Sequence, residues 1–142
     1  MQTIESVLAQ GRFVLDEAEY RVLRLPARAI VAAAGVIAEV GEPFSVLIAD
    51  AHEVTLVIEQ EAYEEYQGRL IGHTAESSPY RLITLDLPLE STLTGLMAHL
   101  AKALAAANVP IFPYAAFSRD HILVPADKAD AALAALNALK QG

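Results

Sequence analysis

The chain has 142 residues, 54% of them hydrophobic and 20% charged, with a formal net charge of −8 and no cysteine. That length makes one ordinary domain or two small packed units, with enough apolar side chain for a real core and too little charge for a disordered chain. Ten Lys and Arg against eighteen Asp and Glu leave no basic face for nucleic acid or an anionic membrane, and without thiols there is no disulfide, thiolate metal site or cysteine nucleophile, which fits a reducing cytoplasm.

In chain order, MQTIESVLAQGR lacks the basic start and unbroken apolar run of a secretory signal, and residues 2–9 are predicted as a short helix. RFVLD and YRVLRLP, on either side of Glu17-Ala18-Glu19, read as two strands joined by a tight turn, with Pro26 ending the second. ARAIVAAAGVIAEV is a helix stopped by Gly41 and Pro43. FSVLIAD and VTLVI are strands of the buried kind, EQEAYEEYQ is a short acidic helix, and GRLIG is a brief strand. HTAESSP, residues 73–79, is polar, small and closed by proline, so it reads as a linker.

A second cycle follows. YRLITLDLP is a strand, and Ser91 or Thr92 would cap the next helix, whose buried stripe is Leu93, Leu96, Met97, Leu100 and Leu104. Asn108 and Pro110 end it, PIFPYAAFS and HILV are strands, and Ala129, Ala132, Leu133, Leu136 and Leu139 make the stripe of a last helix. The longest uncharged run, Ala103–Ser118, is interrupted by two prolines and falls short of the ~20 residues of a membrane helix, so a soluble, cytoplasmic protein is expected.

The two cycles resemble each other. Tyr20-Arg21 matches Tyr80-Arg81, Leu25-Pro26 matches Leu87-Pro88, and a shift of 67 lays Glu53 on Asp120. The inference is a tandem repeat of a strand–helix–strand–strand–helix unit, an α+β chain of two ferredoxin-like βαββαβ units with antiparallel sheets and the helices on one face. The expected division is 1–72 for the first unit, 73–79 for a linker and 80–142 for the second. The second copy runs out of chain after its last helix, so the strand near Phe13–Leu15 is expected to cross over and complete its sheet.

Motifs for chemistry are absent from the sequence. There is no phosphate-loop or dinucleotide-binding glycine pattern, no G-x-S-x-G, and no two of His52, His73, His99 and His121 stand three or four residues apart. No cofactor and no metal site are expected. Ser118, Asp120 and His121 are close in sequence, but neighbours on a strand face opposite ways and make a poor relay. What remains is binding. The loop DLPLESTLTG offers a helix start with free N–H groups for a carboxylate, Gly95 permits close approach, Asp120 would accept an ammonium, and Phe117 would supply an apolar wall. The same residues are served as well by a plainer reading, in which Ser91 and Thr92 cap the helix and Asp120 caps a turn.

AAFSRDHILVPADKADAALAAL, the segment STLTGL and, less closely, VTLVIEQEAY resemble the ACT domain, in particular the tandem ACT-like group that includes bacterial proteins of unknown role and the CASTOR-type arginine sensors. The resemblance covers roughly residues 20–140. It implies regulatory modules without catalytic activity, which bind amino acids where the strand-to-helix loop of one copy meets a strand of another. It places Thr94 and Gly95 at the helix start and Phe117 and Asp120 at the strand turn. Asp50, His52 and Glu53 fall at the equivalent turn of the first copy. Ala116 stands where sensor-type members commonly have a small hydroxyl residue, and Leu89 where many ACT domains have glycine. The expected ligand residues are therefore Ser91, Thr92, Thr94, Gly95, Phe117, Ser118 and Asp120, with Asp50, His52 and Glu53. The expected function is amino-acid sensing, passed to a partner protein or a homo-oligomer. A structural module with a vestigial site, or a small enzyme using Asp120 and His121, are the alternatives.

Overall fold

The stretch read as a hairpin is one strand. In the computed structural model, which describes residues 1–141, Phe13–Pro26 forms β1 without interruption. Glu17-Ala18-Glu19 contains none of the Gly, Pro, Asn or Asp that a tight turn selects, and each half of β1 has its own partner. The Arg12 carbonyl accepts from the Asp86 N–H at 2.8 Å, and the Asp16 carbonyl accepts from the Arg81 guanidinium at 3.0 and 2.6 Å. The later half, from Tyr20, pairs antiparallel with Glu53–Glu59.

The two halves serve different units. The outer unit combines Met1–Glu17 with the chain from Arg81 onward, and the inner unit is Ala18–Tyr80. The sequence reading assigns residues 1–72 to one copy; instead the first seventeen residues join the other, because Phe13 and its neighbours supply the strand that this copy lacks. The strand crosses over as the repeat requires.

The inner unit comprises the later half of β1, helix α2 (Ile30–Val40), β2 (Val46–Ala49), β3 (Glu53–Glu59), α3 (Gln60–Tyr66) and β4 (Thr74–Ala75). β3 lies between β2 and β1, and β4 pairs with β1 through Leu23 and Arg24, all antiparallel. This is the ferredoxin-like βαββαβ order. Two expectations fail here. GRLIG is a 3-10 turn at Gln67–Arg69 and not a strand, since two glycines in five residues weaken any ladder and Arg69 is tied to Glu39 at 2.8 Å. The segment 73–79, read as a linker, contains β4. Leu23, Leu25, Val54, Leu56 and Ile58 alternate along the strands and bury one sheet face against Ala33 and Val36 of α2.

The outer unit comprises α1 (Ile4–Gln10), the first half of β1, β5 (Tyr80–Leu85), α4 (Leu96–Ala106), β6 (Phe112–Ala115), β7 (Asp120–Pro125) and α5 (Ala129–Ala138). Its strand order is β1-β5-β7-β6, so β1 occupies the fourth-strand place of the same plan. Ile83, Leu85, Ile122 and Val124 meet Leu96, Leu100 and Leu104 of α4 and Ala129, Ala132 and Leu136 of α5. Each fully buried leucine of that stripe is worth about 1.5–3 kcal/mol. α4 ends as the sequence indicates: Asn108 turns left-handed at φ 59°, and Val109 N–H returns to the Leu104 carbonyl at 2.9 Å. Among the described residues no helix is long and apolar enough to cross a membrane.

The hairpin registers fix how the copies correspond. Ala49 pairs with Val54 in one, and Ala115 with Asp120 in the other. The shift is therefore 66, and the residue equivalent to Asp120 is Val54, not Glu53. The apolar runs Thr55–Ile58 and His121–Val124 align in the same register, with the same burial at Leu56, Val57 and Ile58 as at Ile122, Leu123 and Val124.

Candidate functional site

The register shows why Asp120 stands out. Its equivalent, Val54, is fully buried and faces α2. Asp120 therefore occupies, on the helix-facing side of the sheet, the register position that is core in the inner unit, where an apolar residue is the default, but it is itself only partly buried. It opens onto a pocket of about 470 Å³ that it lines with Ser91, Leu93, Gly95, Met97, Phe117 and Ser118, among others, all from the outer unit.

A longer connection makes the pocket. In the inner unit β1 runs through Pro26 into a 3-10 turn at Ala27–Ala29, and α2 starts at Ile30. In the outer unit β5 stops at Leu85 and α4 starts at Leu96. The correspondence is 60 at the first strand (Tyr20 to Tyr80) and 66 at the helix (Ile30 to Leu96), so six residues are added between them. Leu87-Pro88 thus belongs to this loop and does not match Leu25-Pro26.

The loop is fastened at several points. Leu89 N–H donates to the Ser118 carbonyl at 2.7 Å, joining the loop to the β6–β7 turn. Arg119 Nε lies 3.2 Å from Asp86 Oδ1. Gln2 holds the crest: its side chain accepts from Glu90 N–H at 2.7 Å and donates to the Pro88 carbonyl at 2.8 Å.

The helix start is not capped as the sequence suggests. Ser91 and Thr92 precede the helix by several residues, in a turn, and the N-cap is Gly95 in the left-handed region at φ 88°, with no side-chain cap bond. Glycine tolerates that conformation without strain. Its carbonyl already accepts from His99 N–H at 3.0 Å, while the first N–H groups of α4 have no intrahelical acceptor. Leu96, Met97 and Ala98, which carry them, line the pocket. The helix start therefore presents donors and a partial positive potential to the cavity that Asp120 faces.

Burial pushes the Asp120 carboxyl above its ordinary value, with only the His121 ring beside it acting the other way. Among the described residues no side chain hydrogen-bonds to it. His121 points to the other face of the sheet, where its Nδ1 is 2.8 Å from Thr84 Oγ1. Burial, and then Arg119, hold its basicity down, against Asp120. It does not line the pocket, so Ser118, Asp120 and His121 form no relay. Among the described residues no three His, Asp or Glu gather as metal ligands.

Of the residues singled out from sequence, the structure brings Ser91, Gly95, Phe117, Ser118 and Asp120 to one pocket. Thr92 and Thr94 line a separate recess with residues 1–5 and Leu93, and Thr94 Oγ1 donates to the Thr92 carbonyl at 3.2 Å. Asp50, His52 and Glu53 lie at the inner unit's β2–β3 turn. There Asp50 Oδ1 accepts from His52 and Glu53 N–H at 2.8 and 2.9 Å, and Glu53 pairs with Arg24 at 2.7 Å. Leu89, Glu90, Leu93, Met97 and Arg119 are among the pocket residues that sequence reasoning did not assign to the site. The change of shift from 60 to 66 between the copies points to those in the loop, Leu89, Glu90 and Leu93, while Met97 and Arg119 lie outside the added residues.

A family model of the ACT domain matches residues 77–138. No curated protein matches the sequence significantly. Among solved structures, a protein of unknown function from Vibrio cholerae, described as a possible transport protein, is 26% identical with a TM-score of 0.70, over 97% of this chain and 96% of that one. A protein from Agrobacterium tumefaciens is 20% identical with a TM-score of 0.69, over 89% and 86% of the two chains. The regulatory subunit of aspartate kinase from Thermus thermophilus is 16% identical with a TM-score of 0.66, over 91% and 96%. The chain has an α+β, ferredoxin-like fold of the ACT type, and its residues 77–138 are similar to the ACT domain in sequence as well.

Proposed function

We propose that this chain is a non-catalytic regulatory protein that binds a zwitterionic amino acid in the outer unit, with the ligand's ammonium on Asp120 and its carboxylate at the start of α4. Asp120 carries the reading: a partly buried carboxylate on the helix-facing side of the sheet, to which no side chain among the described residues hydrogen-bonds, facing a pocket whose other wall is a helix start with free donors. A charge taken partly out of water is costly unless something pairs with it, and an ammonium supplies that pair. Ser91 and Ser118 offer hydroxyls, and Phe117 an apolar rim. The ACT-domain similarity of residues 77–138 supports a regulatory role, as does the likeness to a regulatory subunit of aspartate kinase. Binding acts on an interface with a partner protein or a second copy in the cytoplasm, through contacts that differ between the free and liganded states.

A thermal-shift panel of the twenty amino acids on the full chain tests this. A ligand at 100 times its dissociation constant stabilises by about 2.7 kcal/mol, a rise of several degrees, and Asp120→Ala abolishes the rise. No shift with any amino acid overturns the function, and an unchanged shift in Asp120→Ala overturns the site.

A further inference from the structure

We infer that the outer unit's pocket selects an amino acid with an apolar, uncharged side chain over an acidic or basic one, an inference that rests on the amino-acid reading of the same site. The charge inventory of the pocket carries it. Three charged side chains line it: Glu90, Arg119 and Asp120. Arg119 is already engaged, with Nε 3.2 Å from Asp86 Oδ1. Glu90 is held by the N-terminal segment, its Oε2 accepting from Gln2 N–H at 3.2 Å and its own N–H donating to Gln2 Oε1 at 2.7 Å. The charged group with no such contact among the described residues is Asp120, and opposite it is the set of backbone donors at the start of α4. The ammonium and carboxylate common to every α-amino acid use both.

A further ligand charge finds no counterpart. An acidic side chain meets Asp120 and Glu90, and at Arg119, the one cation lining the pocket among the described residues, it competes with Asp86 for the same guanidinium. A basic side chain finds only Glu90, an exposed carboxylate shared with the Gln2 N–H, where an ion pair gains little. A buried or half-buried charge that lacks a partner is strongly disfavoured, so both classes are rejected by repulsion or by the loss of an existing contact. The remaining wall is built for an apolar group: Leu89, Leu93, Met97 and Phe117 line the pocket. Leu89, Leu93 and Met97 pack against the core from its margin, while Phe117 is fully exposed and available to close over a ligand.

Isothermal titration of the full chain with L-leucine, L-methionine and L-valine, and in parallel with L-aspartate, L-glutamate, L-lysine and L-arginine, tests the selection at one pH. The expected result is at least tenfold tighter binding of one of the apolar three than of any charged amino acid. Equal or tighter binding of a charged amino acid overturns the inference and leaves the amino-acid function standing. No binding by any of the seven, nor by the other amino acids, overturns both. Met97→Ala then tests the wall: leucine weakens by about tenfold, as expected for lost contact with a few methylene equivalents, while L-alanine, which reaches no farther than its Cβ, keeps its affinity. Equal weakening of both ligands overturns the assignment of Met97 to the side-chain wall.

Discussion

The inner and outer units are the same frame edited in two places. Both have an eleven-residue first helix, Ile30–Val40 and Leu96–Ala106, and both hairpins close with the same register. One copy has Val54 at a fully buried position and a short 3-10 link into its helix. The other has Asp120 there and a loop six residues longer. The edits depend on each other. Without the longer loop there is no pocket for a carboxylate to face, and without the carboxylate the sheet side of the pocket carries no charge opposite the helix start. On the proposed reading, a binding site is grafted onto the shared frame where the inner copy has an apolar contact.

The sharpest way to break the comparison is to place the aspartate in the wrong copy. Val54→Asp puts a carboxyl at a position with no exposure and no room for a cation. We expect a loss of about 3–5 kcal/mol, or a fall in melting temperature on the order of 10 °C. Urea unfolding of the variant checks it; a loss below about 1 kcal/mol would mean that the inner position tolerates charge as the outer one does.

The reverse exchange has a smaller effect and a pH signature. Asp120→Val restores the residue type of the inner copy, and we expect the unliganded chain to gain up to about 1 kcal/mol at neutral pH while losing ligand binding. Burial raises the Asp120 carboxyl above 3.8, so the folded parent binds the proton more tightly than the unfolded chain does. That contribution is complete below the unfolded value and disappears as pH rises through the folded one. The advantage of Asp120→Val over the parent therefore grows with pH across the same window and is level above it. A series of urea unfolding curves from acid to neutral pH tests the slope; an advantage that shrinks as pH rises contradicts the burial of Asp120.

Much of this was legible in the residues. Apolar periodicity located the helices, and the repeated Tyr-Arg starts and apolar runs located the duplication, because buried faces must recur wherever the frame does. The crossing of Phe13–Leu15 followed from counting strands. What was hidden had physical causes. Glu17-Ala18-Glu19 looks like a turn only because its side chains are polar, whereas exposed backbone between two separately paired halves is polar too. The match of Glu53 to Asp120 followed acidity; burial, which fixes register, matches Val54. Ser91 and Thr92 have the chemistry of a cap, but Gly95 alone has the left-handed backbone that brings the chain into α4. The contact of Gln2 with Glu90 spans most of the chain and leaves no local signal.

The smallest expected effect is also the most discriminating about the inner turn. Asp50 stands near the place that sequence similarity assigns to a ligand group, but its carboxylate is spent on its own backbone, accepting from His52 and Glu53 N–H at 2.8 and 2.9 Å. Those bonds, His52 first, hold its carboxyl below the ordinary value. This is an Asx turn, a fastening and not a receptor. The outer turn has Ala116 in the corresponding place by register, and gives up that fastening at the rim of the pocket. Asp50→Ala is therefore expected to leave amino-acid affinity unchanged within about twofold, a difference of under ~0.5 kcal/mol. Its effect falls on acid stability. The contribution of Asp50 is present above the unfolded value of the carboxyl and disappears as pH falls through the lower folded one, so the variant loses this part of the parent's acid sensitivity, opposite in sign to that of Asp120. Titration calorimetry at neutral pH and unfolding at acid pH separate the two effects. A tenfold loss of affinity in Asp50→Ala would make the inner turn part of the ligand site and end the division of labour between the copies.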